Sequence, residues 1–290
     1  MGRPSLLSQS HTLEDHWITL DGARMRYLRE GNGRPLLLLH GLLGYSFSWR
    51  YVIPALAPYA DVHAVDMLGV GFSDRPPNLN CCLRASAERL IRFLDAVGIT
   101  SCDLLGTSYG GAVSMMAAWL APERINRLML VAPVNPWSSF GKKIAAFLTS
   151  PAVSPLFLGI APHLSFTHGY FLRRLYGDAR RIRSGTLAGY SAPFALRGTF
   201  RHELSTLRTW EQDLEELGDA LPSISHIPTL ILWGSLDNAV DPRSAEALCG
   251  QFQHCRLAML PGVGHLPYEE VPEQFNQAVI QFLQGAPSGF

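Results

Sequence analysis

The hexapeptide Gly106-Thr107-Ser108-Tyr109-Gly110-Gly111 sets a serine among glycines, directly after the short strand-like run Asp103–Leu105 and directly before an apolar helical stretch at 109–120. G-x-S-x-G alone often occurs by chance, and the strand before it and helix after it are what give it meaning. A sharp strand-to-helix turn holds its central residue in a strained backbone conformation and lifts that side chain above the sheet. Glycine at 106 and 110 leaves the space that a Cβ would take from the neighbouring chain. The helix N-terminus that follows aims N–H groups at any anion formed beside Ser108. This is the setting of a serine that attacks a carbonyl carbon.

A serine hydroxyl is a poor nucleophile near neutral pH and needs a base. Of the ten histidines, His11, His16, His163, His168, His202, His226 and His254 lie in surface-like or inserted contexts and read as ordinary polar residues. His63 falls inside a strand pattern, where a core or edge histidine is the plainer reading, and His40 reads as a turn-shaping group. His265, in Gly262-Val263-Gly264-His265, stands on a glycine-rich loop just past the last strand. Loops at the carboxyl ends of parallel strands are where α/β folds build sites, so His265 is the expected base. Asp237, just past the strand at 229–233, is the expected carboxylate that holds the base's tautomer and stabilises the imidazolium. Its rival Asp241 precedes Pro242 and reads as a helix N-cap. The oxyanion donors are expected to be the backbone N–H groups of Tyr109 and of Leu42, the latter within His40-Gly41-Leu42-Leu43-Gly44. Gly69-Val70-Gly71 also follows a strand, but it lacks the third glycine and the opening helix of a dinucleotide fingerprint.

These residues need a scaffold, and the apolar pattern supplies one. Residues 16–30 read as a hairpin turning at Asp21-Gly22. Pro35–Leu39 is wholly apolar, as a strand buried on both faces of a parallel sheet must be. Strands at 62–66, 103–105, 127–133, 229–233 and 256–260 alternate with helices at 83–97, 109–120, 242–252 and 272–284, which predicts a doubly wound, mostly parallel α/β fold. Residues 134–221 break the rhythm with helix-like pieces, prolines and aromatics, too long a stretch for a loop. They read as an inserted helical cap on a core of 1–133 and 222–290. Within it Ala145–Pro162 carries no charge, and prolines at 151 and 155 forbid one regular helix. Its plain role is packing against the core. If it also covers the site, Phe147, Leu148, Leu156 and Phe157 line the substrate pocket.

The bulk composition agrees with an apolar or neutral small-molecule substrate. Of 290 residues 47% are apolar, and 24 Lys and Arg balance 24 Asp and Glu, so net charge gives no pull on nucleic acid or on an anionic membrane. The five cysteines form neither a CxxC pair nor a zinc spacing and read as free thiols of a cytoplasmic protein. No run approaches the ~18 apolar residues of a membrane span.

Taken in order, HGLLG, DMLGVGFSDRP, GTSYGG, WGSLDNAVD and GVGHLPYEEVPE resemble the α/β-hydrolase superfamily over nearly the whole chain. The resemblance implies an eight-stranded sheet, a helical cap at the place of the insertion, a pocket between them and a Ser, Asp, His chain order. Haloalkane dehalogenases and epoxide hydrolases resemble this chain but use Asp where it has Ser108. Carbon–carbon bond hydrolases, proline iminopeptidases and perhydrolases keep the same triad. The expected activity is therefore hydrolysis of small, largely apolar esters by a carboxylesterase-type enzyme without metal or cofactor. The alternatives are carbon–carbon cleavage of diketone-like compounds, amide cleavage and a ligand-binding protein with a vestigial triad.

Overall fold

The structure is a computed structural model that describes residues 13–138, 142–161 and 165–285. Eight strands make one sheet: β1 (Asp15–Leu20), β2 (Ala23–Gly31), β3 (Pro35–Leu39), β4 (Asp61–Val65), β5 (Cys102–Thr107), β6 (Ile125–Val131), β7 (Thr229–Gly234) and β8 (Cys255–Leu260). Their spatial order is β1-β2-β4-β3-β5-β6-β7-β8. β1 and β2 form the expected hairpin, closed by Asp21 and Gly22 at φ 50° and 79°, the hand that matches strand twist. β2 pairs antiparallel with β4, and every pairing beyond that is parallel.

Helices α1 (Ile53–Leu56), α2 (Leu83–Ala96) and α3 (Tyr109–Leu120) precede β6, while α10 (Ala245–Cys249), α11 (Pro267–Glu270) and α12 (Pro272–Leu283) follow β7. All residues of β4, β5 and β7 are buried, and successive side chains feed opposite cores. Leu37, Leu39, Leu104 and Ile231 pack with α2 and α3 on one face. Leu36, Leu38, Leu105 and Leu232 pack with α1 and α12 on the other. Each such side chain contributes roughly 1.5–3 kcal/mol. α2 stops where Gly98 takes φ 72° and the Ile99 N–H returns to the Leu94 carbonyl at 2.8 Å.

Between β6 and β7 run α4 (Lys142–Thr149), α5 (Ser154–Ile160), α6 (Ser165–Leu175), α7 (Thr186–Ser191), α8 (Thr199–Arg208) and α9 (Trp210–Ala220), with no strand among the described residues. α4 ends before Pro151, and Pro155 sits in the first turn of α5, where its missing N–H is harmless. Phe157 of α5 meets Phe200 of α8 edge-on at 6.1 Å, and Phe194 bridges Phe200 to His168 of α6. Trp210 of α9 stacks on Tyr109 at 6.4 Å, so α9 joins the core beside α3.

Two expectations need correction. The helix read at 242–252 is a 3₁₀ turn at Pro242–Ser244 followed by the short α10. The chain then reverses, placing the end of α10 beside the start of β8, where Cys249 and Cys255 are joined in a disulfide with Cα atoms 5.6 Å apart. Only Cys81, Cys82 and Cys102 are free, which removes the ground for reading a reducing compartment from five thiols. The sequence carried no framework to signal the pair, because only the reversal at 250–254 brings it together.

Candidate active site

β5 passes into α3 through Ser108, whose φ of 53° and ψ of −120° lie where L-residues seldom go. Its backbone is held by four bonds: its N–H donates to the Val131 carbonyl (2.9 Å), and its carbonyl accepts from Gly111 and Val134 N–H (both 3.0 Å) and from Ala112 N–H (3.3 Å). A Cβ on Gly106 would come to 2.3 Å from the Gly110 oxygen, and one on Gly110 to 2.4 Å from the His40 oxygen. That close approach of strand, helix and β3 loop demands glycine at both positions.

Asp237 emerges after β7 and His265 after β8, and the His265 Nδ1–H donates to Asp237 Oδ2 at 2.7 Å with both residues buried. The same oxygen accepts the Trp233 indole N–H at 3.0 Å, while Oδ1 accepts Ala239 and Val240 N–H at 2.7 and 3.0 Å. Four donors lock this carboxylate, so Nδ1 of the imidazole is committed and Nε2 keeps the lone pair that can take a proton. No hydrogen bond joins the Ser108 hydroxyl to His265 among the described residues; such contacts often tighten only when substrate binds. Asp241 instead caps the turn at 242 and pairs with Arg243 at the surface.

The backbone N–H groups of Leu42 and Tyr109 have no acceptor among the described residues. Both flank the serine, since a Cβ on Gly41 would lie 2.9 Å from Ser108 Cβ. His40 shapes this loop: its Nδ1–H donates to the Gly41 carbonyl (2.8 Å) and its Nε2 accepts the Met67 N–H (3.1 Å). Complete burial lowers its pKa, so it stays neutral.

Three further acids shape the site without any motif to announce them. Glu203 of α8 accepts the Leu43 N–H at 2.9 Å, beside the Leu42 donor. Burial pushes its carboxyl up to about 7, against the lowering effects of the Leu43 N–H and the Arg75 charge. With Leu42, Tyr109 and Arg89 it borders a cavity of about 30 Å³, room for a water molecule. Glu270 accepts Gly264 N–H at 2.6 Å and Gly177 N–H at 2.9 Å, tying the His265 loop to the inserted segment. Glu269 accepts from the hydroxyls of Tyr190 (2.7 Å) and Tyr176 (3.3 Å) and pairs with Arg50. The signal that could have found the last two is their place, a pair of acids a few residues past the expected base.

The four insertion residues expected at a pocket divide. Phe147 of α4 and Leu156 of α5 lie largely exposed. Leu148 is half-buried and Phe157 turns toward Phe200. None of the four borders the cavity beside Leu42. Among the described residues no three His, Cys, Asp or Glu side chains gather as a metal-ligand set, and no helix is long and apolar enough to cross a membrane.

The fold is that of a hydrolase family. A family model of the alpha/beta hydrolase fold matches residues 34–272, and the chain belongs to that family. Haloalkane dehalogenase 2 of Mycobacterium tuberculosis is 29% identical over 94% of this chain and 96% of its own length. The 2-hydroxymuconate semialdehyde hydrolase of a Pseudomonas species is 26% identical over 93% of each. Among solved structures, the epoxide hydrolase CorEH is similar with a TM-score of 0.83 at 22% identity, covering 94% of this chain and 99% of that one, a likeness of fold.

Proposed function

We propose that this hydrolase cleaves carboxylic esters of small, largely apolar substrates through an acyl-enzyme. Ser108 attacks the carbonyl carbon while His265 Nε2 takes the hydroxyl proton and passes it to the departing alcohol. The Leu42 and Tyr109 N–H groups hold the oxyanion. Water then attacks the acyl carbon, gives its proton to His265, and the carboxylic acid leaves as Ser108 regains its hydrogen. No step calls on a metal or cofactor. The observation that carries this reading is the buried Asp237–His265 bond on the loops beside a strained Ser108. In the same reading residues 134–221 act as a cap over the core, with Leu148 and Phe157 its acyl-side residues.

The likeness to the 2-hydroxymuconate semialdehyde hydrolase favours a second reading, carbon–carbon cleavage of a diketone-like compound with the same triad. Dehalogenation is not proposed, because the dehalogenase-like members have Asp where this chain has Ser108.

A panel of p-nitrophenyl esters and vinylogous diketones, with fluorophosphonate labelling and peptide mapping, tests both. Ester turnover with a single adduct on Ser108 supports the first reading. Diketone cleavage without ester turnover selects the second. No turnover and no adduct would leave a ligand-binding protein.

A further inference from the structure

The chain's zero formal charge is not spread evenly. Residues 142–198 hold eight of the 24 cationic residues and a single acid, Asp178, so the rest of the chain is acidic. The same segment exposes large apolar side chains: Ile144, Phe147, Leu156, Ile160, Tyr170 and Phe171 are between 42% and 65% accessible. Ile144 and Phe147 are three apart on α4, and Leu156 and Ile160 four apart on α5, so each helix turns an apolar stripe outward. Packing does not need these stripes, because the inward faces are already served. Ala145 and Leu172 are buried, Phe157 meets Phe200, and His168 meets Phe194.

The charges are partly free. Arg180, Arg181 and Arg183 pair with Asp178, Glu270 and Glu273. Arg173 and Arg174, next to Phe171 on α6, and Arg197 are exposed with no carboxylate partner among the described residues. Exposed apolar side chains beside unpaired guanidinium groups suit the boundary between headgroup and acyl chain of an anionic lipid surface. A second copy of this face would set cation against cation in a self-complementary contact. A protein partner would need an acidic face of matching shape, whereas an anionic bilayer supplies negative charge and an acyl boundary together.

We propose that the outward face of α4, α5 and α6 docks peripherally on an anionic lipid surface. The apolar stripes enter the acyl boundary, and Arg173, Arg174 and Arg197 meet headgroup phosphates. This stands apart from the ester reading, since docking involves neither Ser108 nor His265. The test is co-sedimentation of the full chain with vesicles of phosphatidylcholine, alone or mixed with phosphatidylglycerol. Binding is expected only to the mixed vesicles, and it weakens as salt rises. The double variant Arg173→Glu/Arg174→Glu should lower the partition coefficient at least about 30-fold, and Tyr170→Ser/Phe171→Ser should also weaken it. Unchanged circular dichroism and melting in these surface variants keep the comparison clean. The proposal is overturned by no partition into mixed vesicles, by equal binding to both kinds, or by indifference to the arginine variant. It is also overturned if the face instead forms a dimer, seen in gel filtration and lost in the same variants, without vesicle binding.

Discussion

The Glu203 carboxylate accepts the Leu43 backbone N–H at 2.9 Å, so an acid on an inserted helix holds the loop that carries the Leu42 donor. Leu43 stands at φ 57°, a conformation that needs holding in a residue with a Cβ. Removing the acceptor in Glu203→Ala takes away the bond that holds the Leu43 N–H and frees the loop. The expected result is a fall in kcat of roughly 10-fold with a smaller change in KM. Glu203→Gln keeps an acceptor oxygen and should restore most of the rate.

The same residue predicts a pH dependence of stability. Its carboxyl ordinarily titrates at 4.5, and burial raises it to about 7 in the folded chain. Between those values the unfolded chain has released the proton and the native chain has kept it. The native state binds more protons, and stability therefore falls as pH rises through the window, then levels off above 7. Urea unfolding at several pH values should show this slope in the parent, on the order of 3 kcal/mol in total, and its disappearance in Glu203→Gln. An equal slope in both proteins would place the titrating group elsewhere.

Asp237 and Asp241 lie four residues apart, yet their variants should behave differently. Asp237→Asn keeps the shape but offers His265 Nδ1 an amide, which permits the wrong tautomer and costs on the order of 10⁴ in kcat. Asp241→Asn still caps the turn at 242 and loses only a solvent-screened surface pair with Arg243. Ester kinetics on the two variants check the assignment, and a larger loss in the second would reverse it.

Glu270 is the fastening between the His265 loop and the inserted segment, with Gly264, Gly177 and Asp178 N–H groups and Arg181 all donating to it. Glu270→Ala should lower the melting temperature and kcat together, since the unpaired N–H groups cost about 1–3 kcal/mol each and the base loses its support. Glu270→Gln keeps one acceptor oxygen but turns an amide N–H toward donors, so it should recover only part of either loss. Thermal melts and kinetics on both variants decide whether the two effects travel together.

The parts of this molecule that local chemistry dictates were readable in the chain. The G-x-S-x-G turn, the apolar runs of β3 and β7 and the glycine loop before His265 each state their own geometry. Glu203 was not readable, because its role exists only when α8 crosses the β3 loop, 160 residues away in the chain. The Cys249–Cys255 bond likewise depends on a reversal with no turn signature strong enough to announce it. For Phe147 and Leu156 the limit is of another kind: an apolar, charge-free stretch implies cover, but it does not say which face of a short helix is covered.

That last difference separates the four insertion residues into two testable pairs. Phe157 packs on Phe200 of α8, and Leu148 is half-buried, so both are at least partly covered. Phe157→Ala and Leu148→Ala each remove a half-buried side chain, where full burial would contribute about 1.5–3 kcal/mol. If they border the acyl group, the ratio of kcat/KM for longer over shorter acyl chains should change by roughly 10-fold. Phe147→Ala and Leu156→Ala touch side chains already in water and should leave both that ratio and the melting temperature unchanged. Measuring melting and chain-length profile on all four separates the roles. A lowered melting temperature with an unmoved profile in the first pair would make Phe157 and Leu148 packing residues only. A shifted profile in the second pair would bring the exposed stripe into contact with substrate.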